Sequence, residues 1–103
     1  MKTQYGLKPE IIKAIHEVFV DFPEVTKVIL YGSRAMGNFR KGSDIDLTLI
    51  EEGMSFERFL ALENKLDDLL LPWKIDISRM QKITNRGLID HIDRVGKVFF
   101  VKQ

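Results

Sequence analysis

The fold is decided by two short runs. Val28-Ile29-Leu30-Tyr31-Gly32-Ser33 comes first, and after ten residues Asp44-Ile45-Asp46-Leu47-Thr48-Leu49-Ile50 follows. The first run is rich in β-branched residues and stops at glycine, which reads as a buried strand entering a turn. The second alternates. Ile45, Leu47 and Leu49 face one way, and Asp44, Asp46 and Thr48 face the other. A period of two is that of a strand with one apolar face. Between the strands, 35–38 fits a brief helical turn and 39–43 a loop.

The spacing places chemistry on the polar face. Asp44 and Asp46 project on one side, about 6.6 Å apart along the strand. Trp73 to Ser78 alternates in the same way, with Ile75 and Ile77 together and Lys74, Asp76 and Ser78 opposite. If the strand of Asp76 lies beside that of Asp46, about 4.8 Å away, the three carboxylates converge. Such a cluster repels itself unless a cation enters it. Oxygen donors without Cys or His favour Mg²⁺ or Mn²⁺ over Zn²⁺. Upstream, Gly32 permits close backbone approach. The Ser33 hydroxyl and the opening amides of the helical turn suit an anion.

The rest of the chain builds a frame around these strands. Ile11, Ile15, Val18 and Phe22 follow helical spacing over 9–22, with Pro9 in the first turn and Pro23 at the stop. Ser55 is placed to cap a second helix, whose stripe is Phe56, Phe59, Leu60, Leu66, Leu69 and Leu70. Thr84 or Asn85 caps a third, with Leu88, Ile89, Ile92 and Val95 inward and Gly96 at its end. Val98 to Val101 reads as a last strand. The expected class is α+β: a small mixed β-sheet with helices packed against it, one domain over 1–103.

Composition narrows the function. Of 103 residues, 16 are Lys or Arg and 15 Asp or Glu, a net charge of +1 that gives no polybasic arm for nucleic acid. The absence of cysteine excludes disulfides, thiolate zinc sites and cysteine nucleophiles. No apolar run approaches the ~18–20 residues of a membrane span. No leader pattern precedes the first helix, so a cytoplasmic domain is expected.

Each feature also has an ordinary reading. Asp-x-Asp alone is commonly an exposed strand face, and Gly-Ser alone a turn. Arg34 reads first as a structural ion-pair partner. His16 and His91 read as surface or packing residues, Trp73 and the leucines of 66–71 as core. Arg79, Lys82 and Arg86 form a loose basic patch, ordinarily solvated.

Taken together, Gly32-Ser33, ten residues, then Asp44-Ile45-Asp46 match the Gly-Ser-x10-Asp-x-Asp signature of the DNA polymerase β-like nucleotidyltransferase superfamily. Tyr31 to Gly37, Gly42 to Leu47, and Leu71-Pro72-Trp73-Lys74-Ile75-Asp76 resemble its minimal nucleotidyltransferase branch. The resemblance spans nearly the whole chain. It implies that Gly32 and Ser33 hold the triphosphate, that Asp44 and Asp46 bind two Mg²⁺ ions, with Mn²⁺ as a substitute, and that Asp76 binds the metal that activates the attacking hydroxyl and is placed to take its proton. Larger relatives place a phosphate-binding Arg shortly after the serine. Met36 stands there in this chain, leaving Arg34, Arg40 or Lys41 to supply the charge. The branch resembles antitoxins paired with helical HEPN-domain toxins. The implied activity is therefore AMP transfer from ATP, or another NTP, to a tyrosine of such a partner. No membrane and no direct nucleic-acid contact are expected. Two alternatives stand beside it: a non-catalytic nucleotide-binding module that neutralises its partner by complex formation, and a small-molecule nucleotidyltransferase working as a homodimer.

Overall fold

In the computed structural model, which describes residues 3–103, four strands and four helices alternate along the chain. Helix α1 (Pro9–Val20) leads into β1 (Val25–Tyr31), the short α2 (Ser33–Met36) and β2 (Ile45–Glu51). Then come α3 (Phe56–Asp67), β3 (Ile75–Arg79), a 3-10 turn (Met80–Lys82), α4 (Arg86–Val95) and β4 (Lys97–Val101).

The sheet order is β3-β2-β1-β4. Strand β1 runs antiparallel to both β2 and β4, whereas β2 and β3 are parallel. The mixed sheet is thus the expected one, and the two strands that carry the aspartates are neighbours. A parallel pair needs a crossover rather than a hairpin, and α3 supplies it.

The core lies on the face of Ile45, Leu47 and Leu49. It is filled by Ile15, Val18 and Phe19 of α1, Leu62 and Leu66 of α3, and Val28 and Leu30 of β1. Burying such a side chain contributes about 1.5–3 kcal/mol, so this face orients the opposite, polar one. Helix α4 covers only part of that polar face, at β1. A side chain at Gly96 would run into Ile29 there.

Several expectations are corrected. Helix α1 ends at Val20, although Phe22 stays buried beyond it. Strand β1 begins at Val25, three residues earlier than the β-branched run suggested. Helix α3 stops at Asp67. Leu70, read as part of its stripe, turns out with φ 54° and is 88% exposed. Of the inward residues assigned to α4, only Ile92 is fully buried, because the helix covers one side of an open sheet. Its cap is Asn85, whose Oδ1 accepts from the Leu88 amide at 2.9 Å. The expected Ser55 cap is present, accepting from the Arg58 amide at 3.1 Å.

Candidate active site

Strand register assembles the site. Asp46 is paired with Tyr31 on one side and with Asp76 on the other, so the three residues form one row across β1, β2 and β3. One step along, the Ser78 hydroxyl donates to Thr48 Oγ1 at 2.9 Å and ties the two aspartate strands together on the same face. Asp46 is half-buried, while Asp44 and Asp76 are exposed. Burial pushes the Asp46 carboxyl above its ordinary pKa, and the charges of Asp76 and Asp44 push it further. The Tyr31 phenol is likewise raised, first by burial and then by Asp76 and Asp46, against the Ser78 hydroxyl.

The Gly32-Ser33 bend adjoins this row. Gly32 caps α2 with φ 76° and ψ −159°, a backbone region essentially confined to glycine. A Cβ at this position would collide with Asp46 Oδ2. The bend therefore reaches the carboxylate only because residue 32 has no side chain. From there α2 presents its first amides, which have no intrahelical partner.

His91, read as a surface or packing residue, does pack, but it also holds the bend, which the sequence reading did not foresee. Its Nε2 accepts the Gly32 N–H at 3.0 Å, which places its own proton on Nδ1. Its ring meets Tyr31 edge to face, centroids 6.1 Å apart. One signal was available: position 91 lies three after Leu88 and four before Val95, on the face that α4 turns inward. His16 does pack as expected. Its Nε2–H donates to the Phe99 carbonyl at 2.6 Å, and its ring meets Phe99 and Phe100.

Among the described residues Arg34 has no ion-pair partner, and it is not open to a phosphate. It is only 2% exposed. Its Nε and Nη2 both donate to the Ser43 carbonyl, at 3.1 and 2.9 Å, and Nη1 donates to the Tyr5 carbonyl at 2.8 Å. Trp73 is half-buried beside it rather than deep in the core, and its indole N–H donates to the Lys41 carbonyl at 3.0 Å. Arg40 and Lys41 remain exposed. The supposed basic patch is also divided. Arg79 Nε donates to the fully buried Glu51 carboxylate at 2.6 Å and its Nη2 to the Met54 carbonyl, so it is not free.

The three carboxylates do not close into a ready cage: among the described residues, no group of three or more His, Cys, Asp or Glu side chains is gathered tightly enough to hold an ion alone. Asp46 and Asp76 are register partners, and Asp44 stands one residue before β2. The donors still fit a hard cation. All are carboxylate oxygens, they crowd enough to raise Asp46, and Mg²⁺ is ordinarily held by one or two carboxylates together with substrate phosphates.

Residues 13–103 match the family model described as polymerase beta, nucleotidyltransferase. The chain belongs to the polymerase β nucleotidyltransferase family. Its fold is the nucleotidyltransferase fold, and similar solved structures agree. A chain from the crystal structure of a toxin–antitoxin with AMP-PNP superposes with TM-score 0.69 at 21% identity, over 89% of this chain and 74% of that one. A chain from the complex of tri-AMPylated Shewanella oneidensis HEPN toxin with MNT antitoxin gives TM-score 0.57 at 19% identity, over 90% and 68%. A putative nucleotidyltransferase from Sulfolobus solfataricus gives TM-score 0.57 at 18% identity, over 98% and 91%. No match is found among curated proteins. Among the described residues of this nucleotidyltransferase domain, no helix is long and apolar enough to cross a membrane.

Proposed function

We propose that this nucleotidyltransferase domain transfers a nucleoside monophosphate, AMP from ATP, to a tyrosine hydroxyl of a helical HEPN-domain partner and so acts as the antitoxin of the pair. The observation that carries the chemistry is the side-by-side register of Asp46 and Asp76 next to the Gly32-Ser33 bend. The choice of partner is supported by the toxin–antitoxin complexes among the similar structures, one of which holds an AMPylated toxin.

In this reading the Ser33 hydroxyl and the opening amides of α2 hold the triphosphate. Arg40 and Lys41, exposed on the loop between α2 and β2, are the cations assigned to its negative charge. Asp44, Asp46 and Asp76 hold Mg²⁺, two ions in the full site. Those ions, when bound, supply charge neutralisation on the phosphates. Asp76, on the exposed edge strand, receives the proton of the acceptor hydroxyl. The acceptor oxygen bonds to the α-phosphorus, the bond from that phosphorus to the bridging oxygen breaks, and pyrophosphate leaves. Orientation and electrostatic preorganisation carry most of the rate in such transfers.

The test combines the chain with its HEPN partner, ATP and Mg²⁺ and reads intact masses. Adducts of one or more AMP units on the partner are expected. The absence of any adduct with every NTP overturns the proposal. An Asp46→Ala variant that still silences the partner in co-expression would replace transfer by complex formation as the neutralising act.

A further inference from the structure

The burial of Arg34 calls for a physical reason. A guanidinium that is 2% exposed and has no carboxylate partner among the described residues is an expensive group to keep. Its cationic form is opposed by desolvation and supported by the charges of Asp44 and Asp46. Three of its five N–H donors are spent on main-chain carbonyls, two of them converging on Ser43, the residue immediately before Asp44, and the third on Tyr5. The cation lies over two rings, with Cζ 5.3 Å from the centroids of both Phe39 and Trp73. The same loop is tied at two more points. The Trp73 indole holds the Lys41 carbonyl, and the Arg40 amide donates to Ser43 Oγ at 2.8 Å. The segment 40–43 is therefore fastened on several sides, although it lies outside any strand or helix and Asp44 itself is exposed.

We propose that Arg34 is a positioning residue: through its fork on the Ser43 carbonyl and its seat between Phe39 and Trp73, it sets where the Asp44 carboxylate stands relative to Asp46, and thereby the affinity of the site for a divalent cation. Asp44 needs such a device because β2 begins only at Ile45, so the sheet ladder does not orient it. The bond from Nη1 to Tyr5 extends the clamp to the turn before α1. The inference rests on the reading of this face as a metal–nucleotide site. Lysine in place of Arg34 keeps the charge but cannot hold the Ser43 and Tyr5 carbonyls together.

The experiment is a Mn²⁺ titration of the full chain with a non-hydrolysable ATP analogue, with free Mn²⁺ read by electron paramagnetic resonance. It compares wild type, Arg34→Lys and Trp73→Phe. Loss of a group that orients a metal ligand typically weakens affinity about 10–100-fold, and a rise of about tenfold in the midpoint is expected for Arg34→Lys. Trp73→Phe keeps a ring beside the guanidinium and loses one hydrogen bond, so a rise of about fivefold is expected. A variant that is less stable but still almost fully folded leaves the midpoint in place, and one that is partly unfolded raises it only by the reciprocal of its folded fraction, which its thermal melt gives. An Arg34→Lys midpoint within twofold of wild type overturns the inference while the metal–nucleotide reading stands. If Arg34→Lys does not fold, an unchanged midpoint in Trp73→Phe overturns it instead. A wild-type chain that takes up no Mn²⁺ with nucleotide overturns the underlying reading and the inference with it.

Discussion

The main-chain N–H of Gly32 donates to Nε2 of His91 across 3.0 Å, joining residues 59 apart in sequence. Helix α4 is thereby tied to the bend that precedes α2, and the Tyr31 ring meets the imidazole edge to face. The bond also turns the Gly32 amide toward α4, so the anion-facing donors of the bend are those that follow it.

Replacing His91 by alanine leaves the part-buried Gly32 amide without this acceptor. The loss is about 1–2 kcal/mol, or a fall of about 5–10 °C in the melting temperature of a domain of this size. Thermal unfolding with and without nucleotide checks it. The variant should also gain less stabilisation from bound nucleotide than wild type does. An unchanged melting temperature would show that α4 is held without the bond.

Gly32→Ala tests the contact between the bend and Asp46. The backbone region of Gly32 costs about 1–3 kcal/mol for other residues, and the new methyl group collides with Asp46 Oδ2. Both a lower denaturation midpoint and a loss of nucleotidyl transfer are expected. Wild-type activity in a folded Gly32→Ala protein would contradict the approach of bend and carboxylate.

Asp46→Asn is expected to abolish transfer yet stabilise the metal-free chain at neutral pH. The Asp46 carboxyl is raised in the fold by burial and by Asp76 and Asp44. Between the ordinary aspartate pKa and the raised one, the folded chain binds more protons than the unfolded chain. Stability from this group therefore falls as pH rises through that window. Denaturation midpoints across mildly acidic pH should show a downward slope in wild type that is reduced in Asp46→Asn. Parallel curves would refute the assigned charge crowding.

Glu51 and Arg79 form a pair away from the site, with the Glu51 side chain fully shielded and its Oε1 without a hydrogen-bond partner among the described residues. Arg79→Met leaves that carboxylate uncompensated, at a cost of about 3–5 kcal/mol. The double substitution Glu51→Met with Arg79→Met should recover much of the loss. Denaturant titration of the single and double variants measures the coupling, and purely additive losses would argue against a buried pair.

Much of this site is local in origin. A period of two over 45–50 dictates which side chains share a face, so Asp46 and Thr48 opposite Ile45, Leu47 and Leu49 follow from strand geometry once the strand forms. Gly32 stands where only glycine fits, and the capping residues Ser55 and Asn85 act on amides three residues on. Such features depend on neighbours along the chain and are written in spacing. The adjacency of Asp46 and Asp76, the seat of Arg34 between Phe39 and Trp73, the bond from Gly32 to His91 and the pairing of Glu51 with Arg79 are different. Each joins segments whose meeting depends on strand order and on which helix covers which face. Burial then decides whether a polar side chain finds its partner in solvent or in a distant stretch of the same chain, a choice that no local pattern encodes.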